Sequence, residues 1–258
     1  MIFSENGYRK MKLSELLDYT GQILQVARFK DYCPNGLQVE GRPEVERVVT
    51  GVTASLSLLE AARDHGADLV MVHHGYFWRN EDARIVGIKQ KRIKLLLESG
   101  MSLAAYHLPL DAHQELGNNV QLARRLGLVL EGWTGEQDLI AYGRTAVDMT
   151  ANAFAEHVSS VLDREAIVLG PTDKVIRKVA WCTGGAQGYM EQAIALGVDA
   201  YISGEVSEQN LHLANEAGVV YIGAGHHATE RYGIQALGEH LQNRFNLQHR
   251  YIEINNPV

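Results

Sequence analysis

Cysteine is nearly missing from this chain: two in 258 residues, Cys33 and Cys182, far apart and in no CxxC pair. Two such thiols suit a reducing cytoplasm better than a disulfide, and a thiolate zinc site is excluded on count. Long hydrophobic runs are missing too. No stretch of 18 apolar residues occurs, so nothing reads as a membrane span. The stretch from Met1 to Lys12 has no apolar signal-peptide core, and Gly7 to Lys10 reads as a disordered tip. The expected location is the cytoplasm. Positive charge is in deficit, with a formal net charge of −7. A general nucleic-acid binder is more often basic, so charge does not favour such a partner. What the chain does have is histidine, eleven residues against five phenylalanines, and not in a tract.

The organising stretch is Ala67 to Gly75. Leu69 to Val72 is a short apolar run that reads as a buried strand. It ends in His73, His74 and Gly75, and ligands in open α/β sheets sit at the carboxyl ends of strands. Adjacent strand residues point to opposite faces, so the two imidazoles share one ion only if the strand ends there and Gly75 lets the chain turn. Two readings stand at this point: metal ligands, or two buried, hydrogen-bonded histidines.

Around this stretch, apolar spacing predicts a helix from about 12 to 28, an Asn35-Gly36 turn, and a strand from Arg47 to Val52. A short helix follows, with Ser57 and Glu60 at capping-box spacing, and closes at Gly66. After the histidine strand come an aromatic loop at Tyr76-Phe77-Trp78-Arg79 and a helix stopping at Gly100. A strand then runs from Met101 into His107-Leu108-Pro109-Leu110-Asp111, and a helix starting at Asn118 ends at Gly127. This β-α-β-α-β-α order implies a parallel sheet. Residues 128–177 read as a bridging segment with short strands and one helix near 149–162.

The first pattern then returns. Lys178 to Gly184 resembles Arg47 to Thr53, and Gly197-Val198-Asp199 follows at the distance at which Gly66-Ala67-Asp68 follows the earlier strand. The expected fold is α/β: two similar β-α-β-α-β-α lobes from an internal duplication, facing each other across a metal-binding cleft. The lobes would be 1–127 and 178–258, interlinked, with a last strand from Arg250 to Ile254 at a sheet edge.

Four loops carry metal-ligand chemistry: His73-His74, His107 with Asp111, Glu205, and His226-His227-Ala228-Thr229-Glu230. His226 and Glu230 are four apart, so on a helix starting near Ala228 they share a face. Such a mixed nitrogen and oxygen set is too large for one tetrahedral zinc. It suits two ions about 3.5–4 Å apart, which lower the pKa of bound water and clamp reacting oxygens. It does not choose among zinc, iron, manganese and cobalt. Gly184-Gly185-Ala186-Gln187-Gly188 reads as a tight turn, or as a loop whose N–H groups hold a phosphate.

The segments Asn35 to Gly41, Val72-His73-His74-Gly75, His107 to Asp111, Thr183-Gly184-Gly185 and Gly225 to Glu230 resemble, in order, the GTP cyclohydrolase 1 type 2 homologue family, most closely its compact bacterial members. The resemblance spans about 13 to 257. It implies a two-lobed α/β fold, two divalent metal ions per subunit and a ring-shaped homohexamer. It assigns ligation to His73, His74, Asp111, His226 and Glu230, with Glu230 bridging. The resulting expectation is a metal-dependent hydrolase of a nucleotide-like or heterocyclic small molecule, anionic substrates included, with Glu205 as candidate general base. His107 is either a partner orienting a ligand or a packed residue, and His227 is structural or a partner orienting a ligand. The rival expectation is a non-catalytic metal-binding assembly that scaffolds or regulates, with a nucleotide or nucleic acid.

Overall fold

The computed structural model describes residues 2–3 and 7–258. Its strands are β1 (Ile2–Phe3), β2 (Arg9–Lys12), β3 (Gly36–Val39), β4 (Glu44–Val45), β5 (Arg47–Thr53), β6 (Leu69–His74), β7 (Ser102–Ala105), β8 (Leu128–Thr134), β9 (Ile140–Thr150), β10 (Ile167–Leu169), β11 (Val175–Trp181), β12 (Ala200–Ser203), β13 (Val220–Gly223) and β14 (Gln248–Tyr251). Its α-helices are α1 (Leu13–Ile23), α2 (Leu56–Asp64), α3 (Gly87–Ser99), α4 (Leu108–Ala112), α5 (Asn118–Leu126), α6 (Ala151–Leu162), α7 (Met190–Ala195), α8 (Glu208–Ala217) and α9 (His226–Phe245). None of the described helices is long and apolar enough to cross a membrane.

The chain divides into two compact units. One comprises 1–110 and 234–255, the other 111–233 and 256–258. These boundaries differ from the expected 127/128 and 177/178. The stretch 128–177 is not a separate bridge, because its strands belong to the sheet of the second unit.

In the first unit the sheet order is β14-β5-β6-β7-β3. β14, β5, β6 and β7 run parallel, and β3 closes the far edge antiparallel. β5 and β6 are buried on both faces, which is why they read as apolar runs without alternation. Their side chains Val49, Val70 and Val72 pack with Leu58 and Leu59 of α2 and Ile93 and Leu96 of α3. Each fully buried Leu there contributes roughly 1.5–3 kcal/mol. The α2 cap is Ser55, whose Oγ accepts from Leu58 N at 3.2 Å, and not Ser57 as the spacing suggested. The final strand takes the predicted edge position, shifted to Gln248–Tyr251. Arg9 and Lys10 form no loose tip: they open β2, which pairs antiparallel with β1 and β4.

In the second unit the sheet order is β10-β13-β12-β11-β9-β8. A parallel centre, β11, β12 and β13, is flanked by antiparallel β9 and β10. β8 and β9 form a hairpin. The core joins Trp181, Ile202 and Ile222 of the central strands to Phe154, Val158 and Leu162 of α6.

The two parallel centres share a local plan. Val48 pairs with Leu69 across β5 and β6, and Val179 with Ala200 across β11 and β12, each partner 131 residues after its counterpart. Asp68 Oδ2 accepts from Glu46 N and Arg47 N at 3.0 and 2.9 Å. Asp199 Oδ2 accepts from Arg177 N and Lys178 N at 3.0 and 2.9 Å, at the same offset. In each unit an aspartate just before the second strand thus binds the backbone of the first, at the start of β5 and at the third and fourth residues of β11. The third strands depart from that offset, since β7 begins at Ser102 and β13 at Val220.

His249 on β14 bonds Thr50 Oγ1 through Nε2 at 2.8 Å and packs against Gly238 of α9. Burial pushes its pKa down from 6.5 to about 4. A depressed folded-state pKa means that its contribution is complete above pH 6.5 and is lost as pH falls towards 4. The urea midpoint should therefore drop across that window, and His249→Asn should flatten the drop. An unchanged slope in the variant would show that burial does not hold this ring neutral.

Candidate metal centre

β6 ends in His73 and His74, and the stretch after β7 brings His107 beside them. The ring centroids lie 4.5 Å (His73 to His74), 5.1 Å (His73 to His107) and 5.7 Å (His74 to His107) apart. The two strand-end imidazoles therefore do not diverge as a straight strand requires. Each of the three residues offers a ring nitrogen, and these lie within 4.8 Å of one another. The other nitrogens are anchored. His73 Nδ1–H donates to the Tyr106 carbonyl at 2.9 Å, His74 Nδ1 meets Thr53 Oγ1 at 3.3 Å, and His107 Nδ1–H donates to Asp31 Oδ1 at 2.8 Å. An imidazole held through Nδ1 presents Nε2, the arrangement of metal-ligating histidines with oriented rings.

Gly75 follows the pair for a reason of space more than of turning. A Cβ there would overlap Gln38 Oε1 and Ala105 Cβ. Gln38 Oε1 accepts from Tyr76 N at 2.7 Å, and Tyr76 O–H donates to the Ala54 carbonyl, also at 2.7 Å, so this part of the aromatic loop packs. Trp78 donates its indole N–H to the Gly75 carbonyl at 3.1 Å and sets its edge on His107 at 5.0 Å.

Asp31 was not singled out by sequence. Its side chain is 3% exposed and takes four donors: His107 Nδ1, Tyr32 N, Asn35 Nδ2 and Leu108 N. Burial opposes its ionisation, but the His107, Asn35 and Tyr32 bonds outweigh that and hold its pKa at about 2. Asn35, read as a turn residue, also accepts from His107 N at 2.7 Å. Cys33 lies nearby, its thiol within 4.8 Å of ligand atoms of Asp31 and His107, and burial and then the Asp31 charge raise its pKa to about 12.

In the second unit Asp111, His226 and Glu230 are all present. Asp111 is buried, and its Oδ1 accepts from Asn118 Nδ2 at 2.8 Å and Thr183 Oγ1 at 3.3 Å. Carboxylate oxygens of Asp111 and Glu230 lie within 4.8 Å of each other. α9 starts at His226, and one turn on Glu230 Oε2 comes within 3.0 Å of His226 Nε2, as the four-residue spacing required. His226 Nδ1 faces Glu205 Oε1 at 2.7 Å, and Gln187 Nε2 donates to Glu205 Oε2 at 3.1 Å. Burial lowers the His226 pKa, but Glu230 and Glu205 outweigh it and raise it to about 9. The ring lies between two carboxylates, Glu205 on Nδ1 and Glu230 on Nε2.

The glycine loop before α7 is built for this cluster. Gly184 has φ +69°, and a Cβ on it would overlap Glu230 Oε1 and crowd His226 Nε2 at 3.1 Å. Gly184 N donates to Thr229 Oγ1 at 3.0 Å, and Ala186 N to Gly184 O at 2.9 Å. Those N–H groups are spent within the protein, which removes two donors from the phosphate-loop reading. Cys182 is fully enclosed; burial, then the Asp111 and Glu230 charges, raise its pKa, so it stays a thiol. His227 is buried, and its N–H donates to the Val258 carbonyl at 2.9 Å, a structural placement.

A groove of about 910 Å³ in the first unit, lined by Leu13, Leu17, Val26, Leu37 and Tyr106, includes none of the candidate ligands. Lys89 and Lys94 of α3 pair with Glu81 and Glu98.

An α/β chain with imidazoles at a strand end and carboxylates beside a helix start defines a candidate metal-binding protein. Comparison gives the family: the chain belongs to Duf34/NIF3 (NGG1p interacting factor 3), whose family model matches residues 11–257. It is 55% identical over 249 residues to a Pseudomonas aeruginosa protein named GTP cyclohydrolase 1 type 2 homolog, covering 95% of this chain and 98% of that one. Among solved structures it is similar to ybgI, a protein of unknown function, at 46% identity and a TM-score of 0.92, covering 96% of this chain and 100% of that one. A protein from Thermus thermophilus matches at 32% identity and a TM-score of 0.87, covering 96% and 100%.

Proposed function

We propose that this protein binds two divalent metal ions through His73, His74, Asp111, His226 and Glu230, and uses them to hydrolyse a nucleotide-like or heterocyclic small molecule. The carrying observation is the donor set itself. His73 and His74 have their Nδ1 atoms anchored on oxygens, and Asp111, His226 and Glu230 gather two carboxylates and a histidine beside Gly184. Such mixed N/O sets suit zinc, iron, manganese or cobalt. When bound, a pair of these ions supplies Lewis acidity and makes a water acidic enough to serve as nucleophile near neutral pH. The chain's own residues orient the ligands: the Tyr106 carbonyl fixes His73, Glu205 fixes His226, and Asn118 with Thr183 fixes Asp111. A homohexameric ring is part of the same reading and rests on the family resemblance alone.

One observation favours a second reading, a metal-binding scaffold or regulator without turnover. Glu205, the expected general base, is engaged by His226 and Gln187. The two readings separate in one experiment. Metal is quantified in untreated wild type, His74→Ala and Asp111→Ala, and each is screened against nucleotides and heterocyclic analogues with the metal found. We expect about two ions in wild type and a loss of at least one in each variant. Turnover present in wild type and lost in both variants supports the hydrolase. Full metal with a silent screen supports the scaffold, and metal-free wild type sinks both.

A further inference from the structure

The cluster at the end of β6 contains one imidazole more than the metal-binding proposal uses, His107. His107 offers a ring nitrogen within 4.8 Å of those of His73 and His74, and the carboxylate that holds it belongs to a separate loop. Asp31 sits 76 residues before His107 in the chain. It spends one oxygen on His107 Nδ1 and Tyr32 N, and the other on Asn35 Nδ2 and Leu108 N. Both ends of the 107–108 backbone are thereby tied to loop 31–35, since His107 N also donates to Asn35 Oδ1. Trp78 closes one side of the ring with an edge contact at 5.0 Å, and Tyr32 lies tilted at 6.3 Å on another. The ring thus has no freedom to flip, and a flip would set its unprotonated nitrogen against a carboxylate.

A histidine kept only for packing has no need of a buried anion. Isolated burial of a carboxylate is strongly unfavourable, and here four hydrogen bonds offset it. What that expenditure secures is a defined tautomer: Nδ1 carries the proton, and the Nε2 lone pair points away from Asp31. A carboxylate, an imidazole and then a cation is the arrangement by which proteins raise the basicity of a histidine ligand and fix its orientation.

We infer that His107, oriented by Asp31, is a third nitrogen ligand that the first unit contributes with His73 and His74, so that this unit carries a three-histidine set. The inference rests on the metal-binding proposal and extends it to a ligand and a positioning residue outside the five. Three neutral imidazoles favour zinc, iron, nickel or cobalt over magnesium or calcium for the ion at this position.

The test uses the full-length protein with Zn²⁺ and Co²⁺ as probes. His107→Asn is chosen because the asparagine amide nitrogen falls where Nδ1 was, which keeps the bond to Asp31 and deletes only Nε2. Asp31→Ala removes the orienting anion and leaves the imidazole. Zn²⁺ affinity is read by chelator competition, the Co²⁺ environment by visible absorption, and folding by thermal melting of the metal-free form. Asp31→Ala should weaken one ion about 10–100-fold, the range for loss of a partner that orients a ligand. His107→Asn should weaken the same ion at least as much and change the Co²⁺ bands, with the metal-free melting temperature near that of wild type. Wild-type affinity and bands in His107→Asn would overturn the inference, whatever Asp31→Ala does. If His107→Asn does not fold, His107→Gln, which places a poor amide ligand near Nε2, takes its place under the same criteria. A wild type that binds neither probe refutes the metal-binding proposal itself, whereas a wild type that binds both while His107→Asn matches it refutes only the third ligand.

Discussion

Replacement of Gly184 by alanine should weaken metal binding at the proposed site. The new methyl group would occupy the position of Glu230 Oε1 and press on His226 Nε2, so two candidate ligands must move at once. The backbone adds to this, because φ is +69° and an L-residue there pays about 1–2 kcal/mol. Neither group can retreat easily: Glu230 is 3% exposed, and His226 is held on its far side by Glu205. A ligand displaced by part of an ångström loses affinity on the scale of a lost orienting partner, about 10–100-fold, and with two displaced we expect the upper end. Gly188→Ala in the same loop is the control, since its Cβ meets nothing within 4 Å. Chelator competition with Zn²⁺ decides the matter: equal affinities for Gly184→Ala and Gly188→Ala would remove Gly184 from the site.

The largest loss of stability should follow Asn119→Ala. Asn119 is fully buried and uses its whole amide. Its Oδ1 accepts from Thr183 N at 3.0 Å, and its Nδ2 donates to the carbonyls of Asp111 at 3.3 Å and Leu139 at 3.1 Å. Its own carbonyl accepts the Trp181 indole N–H at 2.9 Å. One side chain therefore joins the end of β11, the candidate ligand Asp111 and the lead-in to β9. Truncation leaves three buried backbone groups unpaired at about 1–3 kcal/mol each, partly relieved if water enters, so about 3–5 kcal/mol is expected. Against a total of about 5–15 kcal/mol this is a large fraction, and urea denaturation of the metal-free protein reads it directly. A loss below about 1 kcal/mol would mean that the network reorganises around the gap.

Much of this was legible locally. The apolar run before His73, the aspartates beginning both second strands, and the four-residue step from His226 to Glu230 each declare themselves within a few positions, because strand and helix periods are local properties. What was not legible depends on partners far away in sequence. Residues 128–177 looked like a bridge because β9 finds β11 and β10 finds β13 only in the folded chain. Ser57 looked like a cap because its spacing to Glu60 is right, but the chain enters α2 two residues earlier, at Ser55. Asp31 was invisible because an aspartate beside Tyr-Cys-Pro-Asn-Gly reads as a surface turn. Only its bonds to His107 and Leu108 give it a role, and the Asn35 contact four residues on was the sole nearby hint.

The division of the chain also sets an order of events at the ribosome. Apart from its last three residues, the second unit is a single continuous stretch, 111–233, so its sheet can close as soon as that stretch has emerged. The first unit begins earlier and finishes later. β5 exposes one edge until β14 arrives, and their partners Arg47 and Gln248 are 201 residues apart. At a synthesis rate of about 5–20 residues per second, that edge stays open for roughly 10–40 seconds. An unpaired, apolar edge is a template for the wrong strand. Nascent chains stalled before residue 248 should therefore be the form of this protein most dependent on chaperones, although all the candidate ligands, up to Glu230, are by then already made.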